Sequence, residues 1–208
     1  MANYCANSIV FFSKDRSKLA RLLRKVYAAY ESSGPGFWNL LILHGYTNRQ
    51  IAGLADKRDC FTYCDTKLNL DKDTYSFRID TETAWEPHVA VFYKVIREKY
   101  DNEIQLVYMA EECGSQIYIN SDQEGRYFTE HYMVDCCHHG EFIKEYFNSY
   151  HEAVDWIRDE YCVGVNEHDS MKVIELKVEE ASDYGNGDFF NFHRFESEYG
   201  EDEERGAA

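Results

Sequence analysis

The densest set of potential metal ligands in this 208-residue chain is Cys136-Cys137-His138-His139, which His131, Cys113 or Cys64 could join across a sheet. Thiolate and imidazole together suit zinc. Structural zinc sites draw their ligands from paired knuckles of the C-x2-C kind, however, because four contiguous residues cannot all turn toward one tetrahedral ion. The expectation is therefore no cofactor, with His131, Cys136, Cys137, His138 and His139 as the ligands a metal would use if one were held. Glu111-Glu112, at the end of an alternating run, have the residue types for paired acid–base work. Neighbours along a strand face opposite sides, so only one of the two can enter a given pocket. The chain has no G-x-S-x-G elbow, no protease-type cysteine signature and no Gly-rich phosphate loop, so no catalytic residue is assigned and the positive case for an enzyme is thin. His44 beside Gly45 and His88 beside Pro87 read as packing or capping residues.

These residues need a scaffold, and the composition supplies one. Apolar residues make up 44% of the chain and aromatic residues 16%, mostly Tyr and Phe, which is enough for a packed core of mixed α/β type. Residues 3–12 run into SIVFF, the pattern of a first strand. Ser13 is placed to cap a helix over Lys14 to Glu31, whose apolar positions 19, 22, 23, 26 and 30 form one stripe. Lys14, Arg16 and Lys18 sit in its first turns, where the helix dipole disfavours cations, so carboxylates elsewhere in the chain are expected to compensate them. Gly34-Pro35-Gly36 opens a helical insertion over about 34–58, and Thr47 to Gln50 has capping-box spacing.

Strands follow at 60–68 and 74–80, and Pro87 is placed to start a helix that ends near Asp101. Trp85 reads as the hydrophobic staple of that helix. Ile104, Leu106 and Tyr108 alternate in a fourth strand. Further strands at 116–120 and 126–135 are expected to extend the sheet, with a helix from Ser149 to Cys162 and a last strand over 171–179. The aromatic FFNFHRF run at 189–195 is expected to dock on the body. The acidic ESEYGEDEE stretch is expected to be disordered.

The net charge of −16 is unevenly spread. Residues 1–58 carry nine Lys/Arg against three Asp/Glu, residues 59–177 carry 11 against 25, and residues 178–208 carry two against ten. Such acidity repels phosphates and attracts basic partners, while the positive opening segment is free to fold back on acidic residues of its own chain. The GRYFTEHYMV segment at 125–134 lacks the pattern of an RNA-binding sheet, which adds to the case against direct nucleic-acid binding. The N-terminus lacks the features of a signal peptide, and no apolar run reaches membrane-spanning length; a cytoplasmic location is expected, with no membrane association. Seven unevenly spaced cysteines read as reduced thiols.

Several blocks recur in the order of a known family: MANYCANSI at 1–9, Thr66-Lys67, TAWEP at 83–87, AEECG at 110–114, and YINSDQEGRYF at 118–128. By these the chain resembles the YubB-type ferredoxin-like proteins of bacterial plasmids, phages and integrated elements, most of them without a known activity. The family's Gly-Thr-Lys-Trp reads here with Asp65 and Leu68 at its ends, and Cys113 replaces the Pro of Ala-Glu-Glu-Pro-Gly. The resemblance implies an α+β fold, a ferredoxin-like βαββαβ core with a helical insertion after the first helix. Its blocks cover roughly residues 1–165, and the domain expected is a single one over 1–181, with the sheet extension over about 115–181 and an aromatic then acidic tail over 182–208. It makes Lys67, Trp85, Glu111 and Glu112 the binding candidates.

The function expected is that of an accessory protein binding a basic protein partner through an acidic surface, for example as a mimic of DNA phosphates. One alternative is a small metal-dependent or nucleic-acid-processing enzyme that uses the Cys/His cluster with Glu111 or Glu112. The other is a structural oligomerisation domain. The sequence leaves the oligomeric state open.

Overall fold

The computed structural model describes residues 3–138, 140–182 and 188–197. The chain forms two compact units, Met1–Ile119 and Asn120–Ala208.

In the N-terminal unit, β1 (Tyr4–Ser13) leads into α1 (Arg16–Tyr30), followed by the short helices α2 (Gly36–Leu43) and α3 (Asn48–Ile51). Strands β2 (Cys60–Cys64), β3 (Asn69–Asp71) and β4 (Thr74–Ala84) come next, then α4 (Ala90–Tyr100), β5 (Gln105–Glu112) and β6 (Ile117–Asn120). The sheet order is β2-β4-β1-β5-β6, with β3 also paired to β4. β1 is antiparallel to β4 and to β5, and β2 is antiparallel to β4. Every second residue of the central strands faces α1 and α4: Ile9 and Phe11 lie opposite Ile79 and Phe77 on one side and Tyr108 and Leu106 on the other. All of them join Leu19, Leu22, Val26, Phe92, Val95 and Tyr100 in one core.

The local signals explain most boundaries. The stripe at 19, 22, 23 and 26 is buried as its spacing requires. The cap of α1 is Asp15 rather than Ser13, because the Asp15 carboxylate reaches the N–H groups of Ser17 and Lys18 while the Ser13 hydroxyl is spent on Glu103 O. Carboxylates compensate two of the three cations there: Lys14 pairs with Asp73, and Lys18 with Asp101 and Glu103. The Thr47–Gln50 capping box forms as its spacing predicts. Gly36 starts α2 where any Cβ would meet the Phe61 ring at 2.6 Å, so the close approach of helix and strand depends on its bare backbone.

In the C-terminal unit, β7 (Tyr132–His138), β8 (Glu141–Phe147) and β9 (Phe189–Arg194) form an antiparallel sheet of order β8-β7-β9. The helices α5 (Tyr150–Tyr161) and α6 (Met171–Ala181) pack Ala153, Val154, Ile157, Ile174 and Val178 onto Val134, Cys136 and Phe192. A sheet continuing through 115–181 is thus not what forms: only β6 adds to the first sheet. The strand expected at 171–179 is α6. Its β-branched Val173, Ile174 and Val178 suggest a strand, but only Ile174 and Val178 are buried, four residues apart, and Ser170 caps the helix on Val173 N–H. The FFNFHRF segment docks as β9 along β7. The stretches 183–187 and 198–208, which hold most of the expected tail, lie outside the described residues. No helix among the described residues is long and apolar enough to cross a membrane.

Candidate functional site

At one end of the first sheet the inward-facing row of side chains changes from apolar to polar. Beyond Ile9 and Ile79 come Asn7 opposite Thr81, then Cys5 opposite Thr83, all buried. Asn7 Nδ2 donates to Thr83 Oγ1 at 2.9 Å, to Cys5 O at 3.0 Å and to Thr81 Oγ1 at 3.3 Å. Thr83 Oγ1 in turn donates to Glu86 O at 2.7 Å, which pins the turn that leaves β4. The Cys5 thiol lies 3.4 Å from Asn7 Oδ1, and burial, helped by the Glu112 charge, pushes it up to about 12. A thiol held neutral in this way is a packing group and not a nucleophile.

Beside this row stands a carboxylate–imidazole pair that the sequence does not signal. Asp59, fully buried at the entry to β2, accepts hydrogen bonds from Asp56 N–H at 2.8 Å and Ala84 N–H at 3.3 Å. Its Oδ2 lies 2.7 Å from His88 Nδ1. The bond to Asp59 raises the imidazole's pKa; burial opposes it, and the charges of Asp59, Glu86 and Asp56 reinforce it. His88 Nε2 has no hydrogen-bond partner among the described residues. A carboxylate that fixes one ring nitrogen and leaves the other available is an arrangement able to accept or donate a proton.

His88 is therefore more than a capping residue, and it also corrects the helix start. α4 begins at Ala90, not at Pro87, with Val89 as its N-cap and His88 O accepting the Val91 N–H in the turn that leads in. Trp85 is no staple: it is half exposed, with φ of 72°, and its N–H donates to Asn3 O at 3.2 Å. A left-handed conformation at a bulky residue costs on the order of 1 kcal/mol or more, and the Ala84 N–H bond to Asp59 and Trp85's own N–H bond to Asn3 O anchor the backbone leading into it.

The four binding candidates separate. Glu112 is buried and accepts the N–H groups of Gly114 and Ser115 and the side chains of Ser115 and Asn3. Burial would raise its pKa, but these bonds outweigh burial and hold the carboxyl below its usual range. Glu112 thus acts as the clasp of its own loop, and Gly114 is required there because a Cβ would collide with the Asn3 amide and the Glu112 carboxylate. Trp85 and Glu112 meet through Asn3, so the TAWEP, AEECG and N-terminal blocks converge on one sheet end. Glu111 faces the opposite side, as strand alternation requires. Lys67 does not join them. It is exposed between β2 and β3, level with residues near 77 on β4, about 20 Å along the strand from Thr83 at ~3.3 Å per residue.

In the C-terminal unit the Cys/His cluster is split by its own strand. Cys136 is buried under the helices, its thiol raised by burial, while Cys137 faces the other side. His131 continues the strand ladder, its N–H bonded to Phe147 O and its carbonyl to Phe195 N–H. The side chain of His138 and all of His139 lie outside the described residues. Among the described residues no group of three or more His, Cys, Asp or Glu could hold a metal, and the seven cysteines are free thiols. A second buried pair joins Asp135 to His193 at 2.9 Å.

The division into units also redraws the charge map. Met1–Ile119 carries 15 Lys/Arg and 15 Asp/Glu, and Asn120–Ala208 carries seven against 23, so the whole net charge of −16 belongs to the C-terminal unit. Trp85, within the TAWEP block, and His88, beside it, carry a signal in the sequence only through that block, and Asp59 carries none. In comparisons with known proteins, no family model, curated protein or solved structure matches the chain.

Proposed function

We propose that the protein is a non-enzymatic binding protein whose C-terminal unit engages a basic protein partner, in the manner of a phosphate-backbone mimic. The observation that carries this reading is the segregation of charge. A neutral unit is joined to one with a net −16, and Glu141, Glu145, Asp159, Glu160, Glu179 and Glu180 are exposed there without an ion-pair partner among the described residues. Unpaired like charges destabilise a compact state, so a surface that keeps them has a use for the field they create. The order β2-β4-β1-β5, with α1 and α4 on one face, supports a ferredoxin-like βαββαβ core for the N-terminal unit. The converging sequence blocks favour a YubB-type lineage.

The test is titration of the full chain with a basic DNA-binding protein at rising salt. Binding should weaken tenfold or more between roughly 50 and 200 mM salt, and it should be lost when Glu141, Glu145, Glu179 and Glu180 are all replaced by Lys. Binding that ignores both salt and these substitutions would overturn the reading.

A second reading has its own observation. Asp59 and His88, beside the strained and exposed Trp85, form an acid–base pair next to an aromatic surface, the composition of a small-ligand site. An NMR titration of His88 that shifts in the presence of a ligand, and fails to do so in Trp85→Ala, would favour it.

A further inference from the structure

Resting on the reading of the acidic unit as a binding module, we propose that the partner docks at the cleft between α6 and the start of β9, and that the docking element is a basic segment bearing a large apolar side chain. The cleft, of about 330 Å³, is lined by Glu175, Leu176 and Glu179 from α6 and by Asp188, Phe189 and Phe190 beside them. That volume admits one or two large side chains.

Its lining has two chemistries. Leu176 is half exposed and Phe189 is 36% exposed. An α-helix normally turns its leucines inward, and α6 buries only Ile174 and Val178 while leaving Leu176 out. Uncovered large apolar side chains rimmed by polar groups are the composition of a contact surface.

The rim selects the occupant. Glu175, Glu179 and Asp188 stand against the single cation Lys172, in the unit that carries the whole net negative charge. Glu175 is already committed in part, accepting Phe192 N–H at 3.0 Å, which closes that point of the β9 edge to strand addition. The cleft therefore takes side chains rather than an added strand at this point. Lys or Arg on the occupant would meet Glu179 while its apolar anchor fills the space over Leu176 and Phe189. A second copy of this acidic unit would bring like charge to like charge.

The experiment uses the full chain and two synthetic probes of equal length, an amphipathic Lys/Leu peptide and an all-Lys peptide, with affinities read by isothermal titration. The Lys/Leu peptide should bind at least about tenfold more tightly than the all-Lys peptide. Leu176→Gln should abolish that difference and leave the all-Lys affinity unchanged. Val173→Gln, at an exposed position of the same helix outside the cleft, should change neither, and circular dichroism of both variants should match the parent. Equal binding of the two peptides, or a preference that survives Leu176→Gln, would overturn the cleft proposal and leave the acidic-module reading standing. Loss of all-Lys binding by the parent chain would overturn that reading and the cleft with it. A concentration-dependent dimer that Leu176→Gln dissolves, with peptide preference unchanged, would make the cleft a self-association face and overturn the proposal.

Discussion

The two units handle charge in opposite ways. In the N-terminal unit seven acids find partners, Asp73 with Lys14, Asp101 and Glu103 with Lys18, Asp56 with Arg58, Asp80 with Arg78, Glu98 with Lys94, and the buried Asp59 with His88, while Glu31, Glu82 and Glu86 are exposed without an ion pair among the described residues. In the C-terminal unit Asp155, Asp169, Asp135 and Glu167 are paired, but Glu141, Glu145, Asp159, Glu160, Glu179 and Glu180 are exposed without an ion-pair partner among the described residues. Charge in the first unit works for the fold, and much of the charge in the second is carried in spite of it. That contrast separates residues whose loss should unfold the protein from residues whose loss should only change what it binds.

The largest effect is expected at Asp59. Asp59→Ala leaves His88 Nδ1 and the N–H groups of Asp56 and Ala84 without their acceptor. Removing one member of a buried pair typically costs about 3–5 kcal/mol, and urea unfolding should show a loss of that order in the N-terminal unit. A loss below about 1 kcal/mol would show that the pair is tuned for something other than folding and would blur the contrast.

Next comes the pH response of the N-terminal unit, in which two histidines act with opposite sign. His44 is buried, its Nδ1 donating to Leu40 O and its Nε2 accepting from Tyr100 OH. Burial, with smaller contributions from Lys25, Lys99 and Arg21 against the bond to Leu40 O, lowers its pKa to about 4. The unfolded chain protonates this residue near 6.5, so stability present above that pH is lost as pH falls toward 4, by about 3 kcal/mol. His88, with a raised folded-state value, contributes stability that is fully present below the unfolded value and is lost as pH rises through the folded one. Unfolding free energies between pH 7 and 4 should fall less steeply for His44→Gln than for the parent, and parallel curves would refute the assignment.

A smaller effect tests the element that displays the acidic cleft. Ser170→Ala removes the acceptor of Val173 N–H at the start of α6 and should cost about 1 kcal/mol in the C-terminal unit. The expected readout is a lower urea midpoint, with the N-terminal unit unchanged.

The elements legible in the sequence are those with local causes. The stripe of α1, the Thr47 capping box, the Ser149 cap of α5 and the alternation of β5 each follow from residues within a turn or two of one another. Where the sequence misleads, a distant partner decides. Between Pro87 and the start of α4 at Ala90 stands His88, bonded to Asp59, 29 residues earlier, and the backbone leading into Trp85 is held by the Ala84 N–H bond to Asp59 and Trp85's own N–H bond to Asn3 O. In α6, β-branched residues outweigh a cap and an i, i+4 pair that are both present in the sequence. Glu112 was recognisable from its block, although its role as a loop clasp depends on Asn3, which only strand pairing brings near. Asp59 has no motif, since what distinguishes it is complete burial.

The smallest effect bears most directly on the contrast. Glu179 and Glu180 are exposed, adjacent, and lack an ion-pair partner among the described residues, so replacing both with Gln removes repulsion and breaks no bond. Stability should therefore stay within about 0.5 kcal/mol of the parent. Any gain should appear only at low ionic strength, because at 0.15 M salt the screening length is about 8 Å. Over the same range of salt, Asp73→Asn in the N-terminal unit should show the opposite sign, since it discards an attraction with Lys14. If both variants lost stability at low salt, the glutamates would be holding the fold after all, and their acidity could no longer be assigned to binding.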